Sequence, residues 1–254
     1  MRFSVCVEGV YRGKEIIESL KLVKNLGYDS FEFYCWWMYE LDRIIQVKDE
    51  LGMTVAGTCM KFISLTDASK QQEYIQGIKE SIDAARRLGC RMLISQTGND
   101  MVGIPRERQR RNMVNTLTKC APILEKAGII LAIEPLNTYV DHLGYFLYSS
   151  PEAFEIIEEV GSPNVRVLFD IYHQQIMEGN LISNIVNNMD KICHFHAAGN
   201  PGRHELYYGE INYGQIFEAI SRTGYTGFMG LEYTPVDAPE KGLEFVRDNY
   251  VNIY

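Results

Sequence analysis

Short apolar runs alternate with longer segments of helical periodicity along the whole chain. The short runs are rich in β-branched and aromatic residues, as strands are, and the longer ones repeat apolar residues every three or four positions. This alternation is typical of repeated βα units around a parallel sheet. The predicted strands are Phe3–Glu8, Ser30–Tyr34, Thr54–Thr58, Met92–Gln96, Ile129–Glu134, Val165–Asp170, Ile192–Ala197 and Phe228–Glu232.

Glycine marks the predicted ends of four helices, and each of these helices passes directly into the next strand. A glycine at this point can take the left-handed conformation that closes a helix. The four glycines are Gly27, Gly52, Gly89 and Gly128. A further helix is predicted to start at Ser150-Pro151-Glu152, with the serine as N-cap, the proline at the first helical position and an early acid.

Eight βα units in 254 residues favour a closed (β/α)8 TIM barrel that forms one domain over residues 1–254. The alternative is an open doubly wound sheet, which usually carries a glycine-rich phosphate-binding turn after its first strand. The corresponding turn here has only Gly9 and Gly13. Because no linker or low-complexity segment divides the chain, we expect a single-domain barrel.

Composition narrows the possible partners. Hydrophobic residues make up 46% of the chain and charged residues 23%, as in ordinary globular proteins. The net charge of −8 disfavours nucleic acid, and no apolar run is long enough to span a membrane. The 6 cysteines include no C-x-x-C pair and are expected to be buried thiols. We therefore expect a soluble, cytoplasmic protein that acts on a small molecule, with a homo-oligomer left open.

Metal-capable side chains lie at the C-terminal ends of the last four predicted strands. They are Glu134, Asp170, His196 and Glu232. The carboxyl ends of barrel strands meet at one mouth, where three carboxylates would repel each other unless a cation lay among them. Oxygen ligands with one imidazole suit Mn²⁺, Mg²⁺ or Co²⁺, whereas zinc would more often have further His or Cys ligands. The sequence therefore predicts one divalent ion at the mouth.

Several motifs resemble the hydroxypyruvate isomerase family. They are Glu134-Pro135-Leu136-Asn137, Asp170-Ile171-Tyr172-His173, Asn200-Pro201-Gly202-Arg203-His204 with Gly209-Glu210-Ile211-Asn212-Tyr213, and Leu231-Glu232-Tyr233. That family belongs to the xylose-isomerase-like barrels, beside the ketose 3-epimerases of the tagatose and allulose type. The resemblance extends over essentially the whole chain in length and motif order and is strongest from Glu134 onward.

The resemblance implies a role for each of these positions. The residues that would bind one metal ion are Glu134, Asp170, His196 and Glu232. Glu134 and Glu232 would also face each other across the substrate as the catalytic acid and base. His173 and Arg203 would hold the substrate's oxygens. A further substrate-binding acid would fall at Asp141, because the loop is one residue longer than in the family.

The reaction that the resemblance implies converts hydroxypyruvate to tartronate semialdehyde. A carbon-bound proton is removed and one is returned to the neighbouring carbon through an enediolate, which requires a base, an acid and positive charge beside the oxygens. The guanidinium of Arg203 suits the substrate's carboxylate. A ketose 3-epimerase acting on a free sugar is the alternative, because His196 resembles the epimerases, whereas many hydroxypyruvate isomerases have glutamine there.

Other functions and residue roles remain open. An apurinic endonuclease of the same superfamily would use a histidine-rich, multi-zinc centre, which the 5 histidines and the negative charge disfavour. A non-catalytic sugar-binding barrel is a further alternative. Tyr34, Trp36 and Trp37 follow the second strand and would either wall the mouth against water or pack between helices.

Overall fold

The computed structural model, which describes residues 1–251 and 253, contains a closed barrel of eight parallel strands. Each strand pairs with the next along the chain, and the eighth pairs with the first. This confirms the predicted (β/α)8 barrel. The strands are β1 Arg2–Cys6, β2 Ser30–Phe33, β3 Thr54–Cys59, β4 Met92–Ser95, β5 Ile130–Ile133, β6 Val165–Asp170, β7 Ile192–Ala197 and β8 Phe228–Leu231.

Helices lie between successive strands and after the last one. The α-helices are α1 Val7–Val10, α2 Ile16–Asn25, α3 Leu41–Glu50, α4 Gln71–Leu88, α5 Arg106–Ala127, α6 Ser150–Val160, α7 Ile171–Met177, α8 Leu181–Asn187, α9 Tyr213–Arg222 and α10 Pro239–Val246. Short 3₁₀ helices occur at Trp36–Met38, Ala68–Lys70 and Met189–Lys191, and a π-helix at Arg247–Val251. The four predicted glycine ends are confirmed, because Gly27, Gly52, Gly89 and Gly128 all have positive φ.

Alternate residues of each strand face opposite sides, and this alternation separates two apolar layers. The larger layer lies between the strands and the helices and includes Val167 and Phe169 of β6. The smaller layer includes Leu168 of the same strand and Ile94 of β4. Leu168 is two residues before Asp170, so the interior row of β6 runs from an apolar side chain to a carboxylate at the mouth.

The predicted limits of β1 and β5 were wrong at both ends. β1 ends at Cys6 because a helical turn follows at once, in which Tyr11 N–H donates to Val7 O at 2.9 Å, and Glu8 therefore lies in α1. β5 begins at Ile130 because Ile129 N–H closes the preceding helix, donating to Leu124 O at 3.1 Å. At β2, β3, β4 and β8 the C-terminal limit differs by one residue, and Glu134 and Glu232 each lie one residue past their strand.

The start of α6 is one residue earlier than predicted. Ser149, and not Ser150, is the N-cap, and its Oγ accepts a hydrogen bond from Glu152 N–H at 3.4 Å. Pro151 consequently takes the second helical position. Either serine could cap this sequence, and the side chain of Ser150 instead donates to Glu178 Oε2 at 2.7 Å.

The remaining predictions about the chain as a whole concern its cysteines, membranes and length. The 6 cysteines are all free; Cys35 and Cys193 are partly exposed, and the others are buried. Within the described ranges, no helix has the length and hydropathy needed to cross a bilayer. The predicted domain extends to Asn252 and Tyr254, which lie outside the described residues.

Candidate active site

The structure brings together the four side chains predicted at the strand ends. Glu134, Asp170, His196 and Glu232 are buried, and each offers a ligand-capable atom within 4.8 Å of the others. They come from neighbouring strands, β5 to β8, and continue the interior rows of those strands. We call these four residues the mouth cluster.

His196 lies at the centre of the contacts. Its Nδ1 is 2.8 Å from Glu232 Oε2 and 3.3 Å from Glu134 Oε1, and its Nε2 is 3.1 Å from Glu32 Oε2 on the opposite side. Burial lowers the pKa of this imidazole, but Glu232 and Glu32 outweigh burial and raise the pKa well above its ordinary value. The ring therefore links the mouth cluster to Glu32, a buried acid outside the cluster.

The carboxylates of the mouth cluster differ in acidity. Burial raises the pKa of Glu134 and of Asp170 above their ordinary values. Burial also acts on Glu232, but Arg203 and His196 outweigh it and hold the pKa of Glu232 well below its usual range. Glu232 is thus the more firmly ionised of the two predicted acid–base residues, and Glu134 retains a proton more readily.

Arg203 reaches the cluster from the loop after β7. Its Nη2 donates to Glu232 Oε2 at 2.9 Å and lies 3.8 Å from Asp170 Oδ2. The residue has a φ of 57° in the left-handed region, and Thr234 N–H donates to its carbonyl oxygen at 2.7 Å. This backbone anchor keeps the guanidinium over the acids.

A cavity of about 270 Å³ opens beside the mouth cluster. The residues that line it are Tyr34, Cys35, Cys59, Phe62, Ile94, Gln96, Glu134, Leu136, His142, His196, Arg203 and Glu232. The phenol of Tyr34 donates a hydrogen bond to Glu232 Oε1. The cavity therefore combines an apolar wall with charged groups on one side, which suits a small polar ligand.

The other two predicted substrate-binding residues lie behind this lining. His173 is buried, with Nδ1 2.7 Å from Asn137 Nδ2 and Nε2 3.5 Å from Asp170 Oδ2. Asp141 Oδ2 accepts hydrogen bonds from Asn137 Nδ2 at 2.6 Å and from the Tyr172 hydroxyl at 2.8 Å. Neither residue is part of the cavity wall as described, so their contact with substrate stays a prediction.

The mouth cluster fits a divalent cation. Glu134 Oε1 and His196 Nδ1 are buried without a hydrogen-bond partner among the described residues. Nδ1 is close to two carboxylates, but neither contact has the geometry of a hydrogen bond. A carboxylate oxygen and an imidazole nitrogen without hydrogen-bond partners, converging with two more carboxylates, form a ligand set that hard divalent cations bind once the imidazole nitrogen is deprotonated. The cluster could therefore hold a metal ion.

Sequence comparison identifies the family. Residues 20–249 match the family model described as xylose isomerase-like TIM barrel. The chain belongs to this xylose isomerase-like family. The hydroxypyruvate isomerase of Escherichia coli K12 is 36% identical over 70% of this chain and 68% of its own length. The 2-oxo-tetronate isomerase of Pectobacterium atrosepticum is 32% identical over 95% of each chain. This member of the xylose isomerase-like family is an isomerase, of the hydroxypyruvate isomerase type.

Solved structures share its fold. A protein from Brucella melitensis described as AP endonuclease, family 2, has a TM-score of 0.93 at 27% identity and covers 98% of each chain. A D-psicose 3-epimerase with D-tagatose from Clostridium cellulolyticum has a TM-score of 0.85 at 16% identity, covering 99% of this chain and 98% of its own. At that identity the epimerase shows the fold alone.

Sequence reasoning missed Glu32 in this xylose isomerase-like chain. The residue lies within β2, buried, and its carboxylate contacts both histidines of β7. The sequence did indicate that Glu32 is unusual, since an acid between Phe31 and Phe33 is rare in a buried strand. The question left open for Tyr34 is resolved, because this side chain lines the cavity, whereas Trp36 and Trp37 pack on each other with ring centroids 5.7 Å apart.

Proposed function

We propose that this isomerase is metal-dependent and converts a small α-hydroxy carbonyl acid, with hydroxypyruvate to tartronate semialdehyde as its reaction. The observation that carries the proposal is the pair Glu134 and Glu232, two buried carboxyl groups on one cavity wall, each beside His196 Nδ1. Their pKa values shift in opposite directions, as suits an acid and a base. The isomerase names of the relatives support the same class of reaction.

Glu232 is the proposed base, since Arg203 and His196 keep it ionised. It takes a proton from the hydroxymethyl carbon of hydroxypyruvate and later releases it to the new hydroxyl oxygen. Glu134 delivers a proton to the neighbouring carbon and recovers one from the original hydroxyl. Both carboxyl groups therefore end the cycle as they began it, and the substrate passes through an enediolate.

The mouth cluster would hold one divalent ion, Mn²⁺ or Mg²⁺ by its oxygen-rich ligands, with Co²⁺ as a further candidate. When bound, such an ion supplies positive charge beside the oxygens on which negative charge develops. Asp170 has no proposed role in proton transfer, so it contributes its carboxylate to this cluster alone.

Arg203 is the proposed partner of the substrate's carboxylate. Among the described residues, the hydrogen bond and ion pairs of its side chain all involve Nη2, so the remaining N–H groups are available to a ligand. His173 and Asp141 are proposed to contribute to substrate binding. They would do so through His142, which lines the cavity and whose ring centroid is 5.2 Å from that of His173.

A ketose 3-epimerase acting on a free sugar is the second candidate. The observation that favours it is the pairing of Arg203 with Glu232 and Asp170, because a guanidinium already neutralised by two acids would tolerate an uncharged ligand. The same acid and base would then act on one carbon of the sugar.

A substrate panel separates the two candidates. The Mn²⁺-loaded protein is assayed with hydroxypyruvate, a four-carbon 2-oxo-3-hydroxy acid, D-tagatose, D-allulose and D-ribulose. We expect the highest kcat/KM with one of the two acids. A higher kcat/KM with a free ketose would instead support the epimerase, and no turnover of any of the five would contradict both.

A further inference from the structure

Glu32 is a buried acid beneath the mouth cluster that the proposed reaction does not use. It lies on the interior side of β2, and its Oε2 is 3.0 Å from His194 Nε2 and 3.1 Å from His196 Nε2. Its other oxygen, Oε1, accepts a hydrogen bond from Ser4 Oγ at 2.5 Å. Three polar side chains thus surround this carboxylate.

The barrel leaves room for this arrangement at Gly230. Gly230 of β8 pairs with His196 of β7 across the sheet. A Cβ added at Gly230 would lie 2.2 Å from Glu32 Oε1 and 2.6 Å from His196 Cδ2, closer than atoms can pack. The absence of a side chain there is what lets a carboxylate from β2 reach across the barrel to the imidazole.

Packing alone does not account for a charged residue at this depth. Other interior positions are filled by apolar side chains such as Met92, Ile94 and Leu168. A buried charge with its partners is often no more stabilising than apolar residues of similar volume. The contact to His196 is therefore better explained by what it does to that ring than by stability.

We propose that Glu32 is a positioning residue, whose carboxylate holds the Nε2–H of His196 and so turns the lone pair of Nδ1 toward the mouth cluster. The inference rests on the proposed metal site. An imidazole that ligates a metal through one nitrogen commonly gives its other N–H to a carboxylate, which fixes the tautomer and the ring orientation. His194 shares the same Oε2 and limits movement of the carboxylate.

The test is a titration of metal-free protein with Mn²⁺, in which the electron paramagnetic resonance signal of free Mn²⁺ reports how much of the ion remains unbound. Glu32→Gln keeps the shape of the side chain but removes its charge, and we expect Kd for Mn²⁺ to rise about 10- to 100-fold. Ser4→Ala is the matched control, because it removes the hydrogen bond to Oε1 and leaves both histidine contacts. Its Kd is expected to match that of the wild type.

A second measurement needs no variant, and it holds even where Glu32→Gln does not fold. In ¹⁵N spectra of Mg²⁺-loaded wild-type protein, Nε2 of His196 is expected to carry the proton and Nδ1 to carry none. A protonated Nδ1 with a bare Nε2, or a Glu32→Gln variant with wild-type Kd and normal turnover, would overturn the positioning role while the proposed function stands. A wild-type protein that binds neither Mn²⁺ nor Mg²⁺ would overturn both.

Discussion

Arg203 Nη2 lies 2.9 Å from Glu232 Oε2, so the guanidinium that lines the cavity is paired with the proposed base. Arg203 is therefore placed to affect both proton transfer and substrate binding. The guanidinium keeps Glu232 ionised, and Arg203 also lines the cavity as the proposed partner of a substrate carboxylate. Substrate binding and the strength of the base are therefore expected to change together when this contact is altered.

Arg203→Lys tests this link. Lysine keeps the charge but loses the planar fork, so it cannot hold Glu232 and a substrate carboxylate in the same way. Hydrogen bonds to charged groups are worth about 1.5–3 kcal/mol, so we expect kcat/KM for hydroxypyruvate to fall roughly 10- to 100-fold. Steady-state kinetics provide the measurement. The control is Arg106→Lys, since Arg106 pairs with Glu152 away from the cavity. An unchanged kcat/KM for Arg203→Lys would show that the fork is not used.

Tyr34→Phe removes the hydrogen bond to Glu232 Oε1 while keeping the aromatic wall of the cavity. We expect kcat to fall about 10-fold, because the remaining donors hold the carboxylate less firmly, and the thermal midpoint to stay close to that of the wild type. The comparison variant is Tyr39→Phe, which loses a hydrogen bond to Glu8 Oε1 instead. Equal kinetics in the two variants would refute a specific role for the Tyr34 hydroxyl.

The barrel and the mouth cluster could be predicted because both depend on local patterns. Apolar runs with glycine-closed helices between them reveal the βα units wherever they occur. Glu134, Asp170, His196 and Glu232 stand out because each interrupts an apolar run where it ends. Once the strands are arranged in a barrel, these ends must meet, whatever their separation in the chain.

Glu32 and its partners could not be predicted in the same way. An acid inside a short strand is equally compatible with the outer side of a sheet, and only the closed barrel brings it to His194, 162 positions away. The orientation of Asp141 depends on Asn137, whose side chain bonds the backbone of the same loop through Val140 N–H at 3.0 Å. Such contacts follow from tertiary packing and loop geometry, which a hydrophobic pattern does not encode.

Gly230→Ala is predicted to disturb the barrel interior directly. The new methyl group would overlap Glu32 Oε1 and His196 Cδ2, and forcing extra atoms into a packed interior costs about 1–3 kcal/mol. Denaturant unfolding is expected to record a loss of that size, together with weaker Mn²⁺ binding. Gly214→Ala on α9 is the control, because its Cβ would meet Asn212 Oδ1 at an ordinary 3.6 Å. Equal unfolding free energies for the two variants would contradict the tight packing around Glu32.

Exchange of the substrate's carbon-bound proton with solvent tests the central claim most directly. Hydroxypyruvate is incubated in D₂O with the Mn²⁺-loaded protein, and deuterium on carbon is followed by NMR. The wild type and the surface variant Glu159→Gln, which lacks only a contact with Arg110, are expected to incorporate deuterium at the same rate. Glu134→Gln and Glu232→Gln are expected to slow incorporation about 10²- to 10⁴-fold. Wild-type rates of incorporation in both glutamine variants would contradict the assignment of these two carboxyl groups as acid and base.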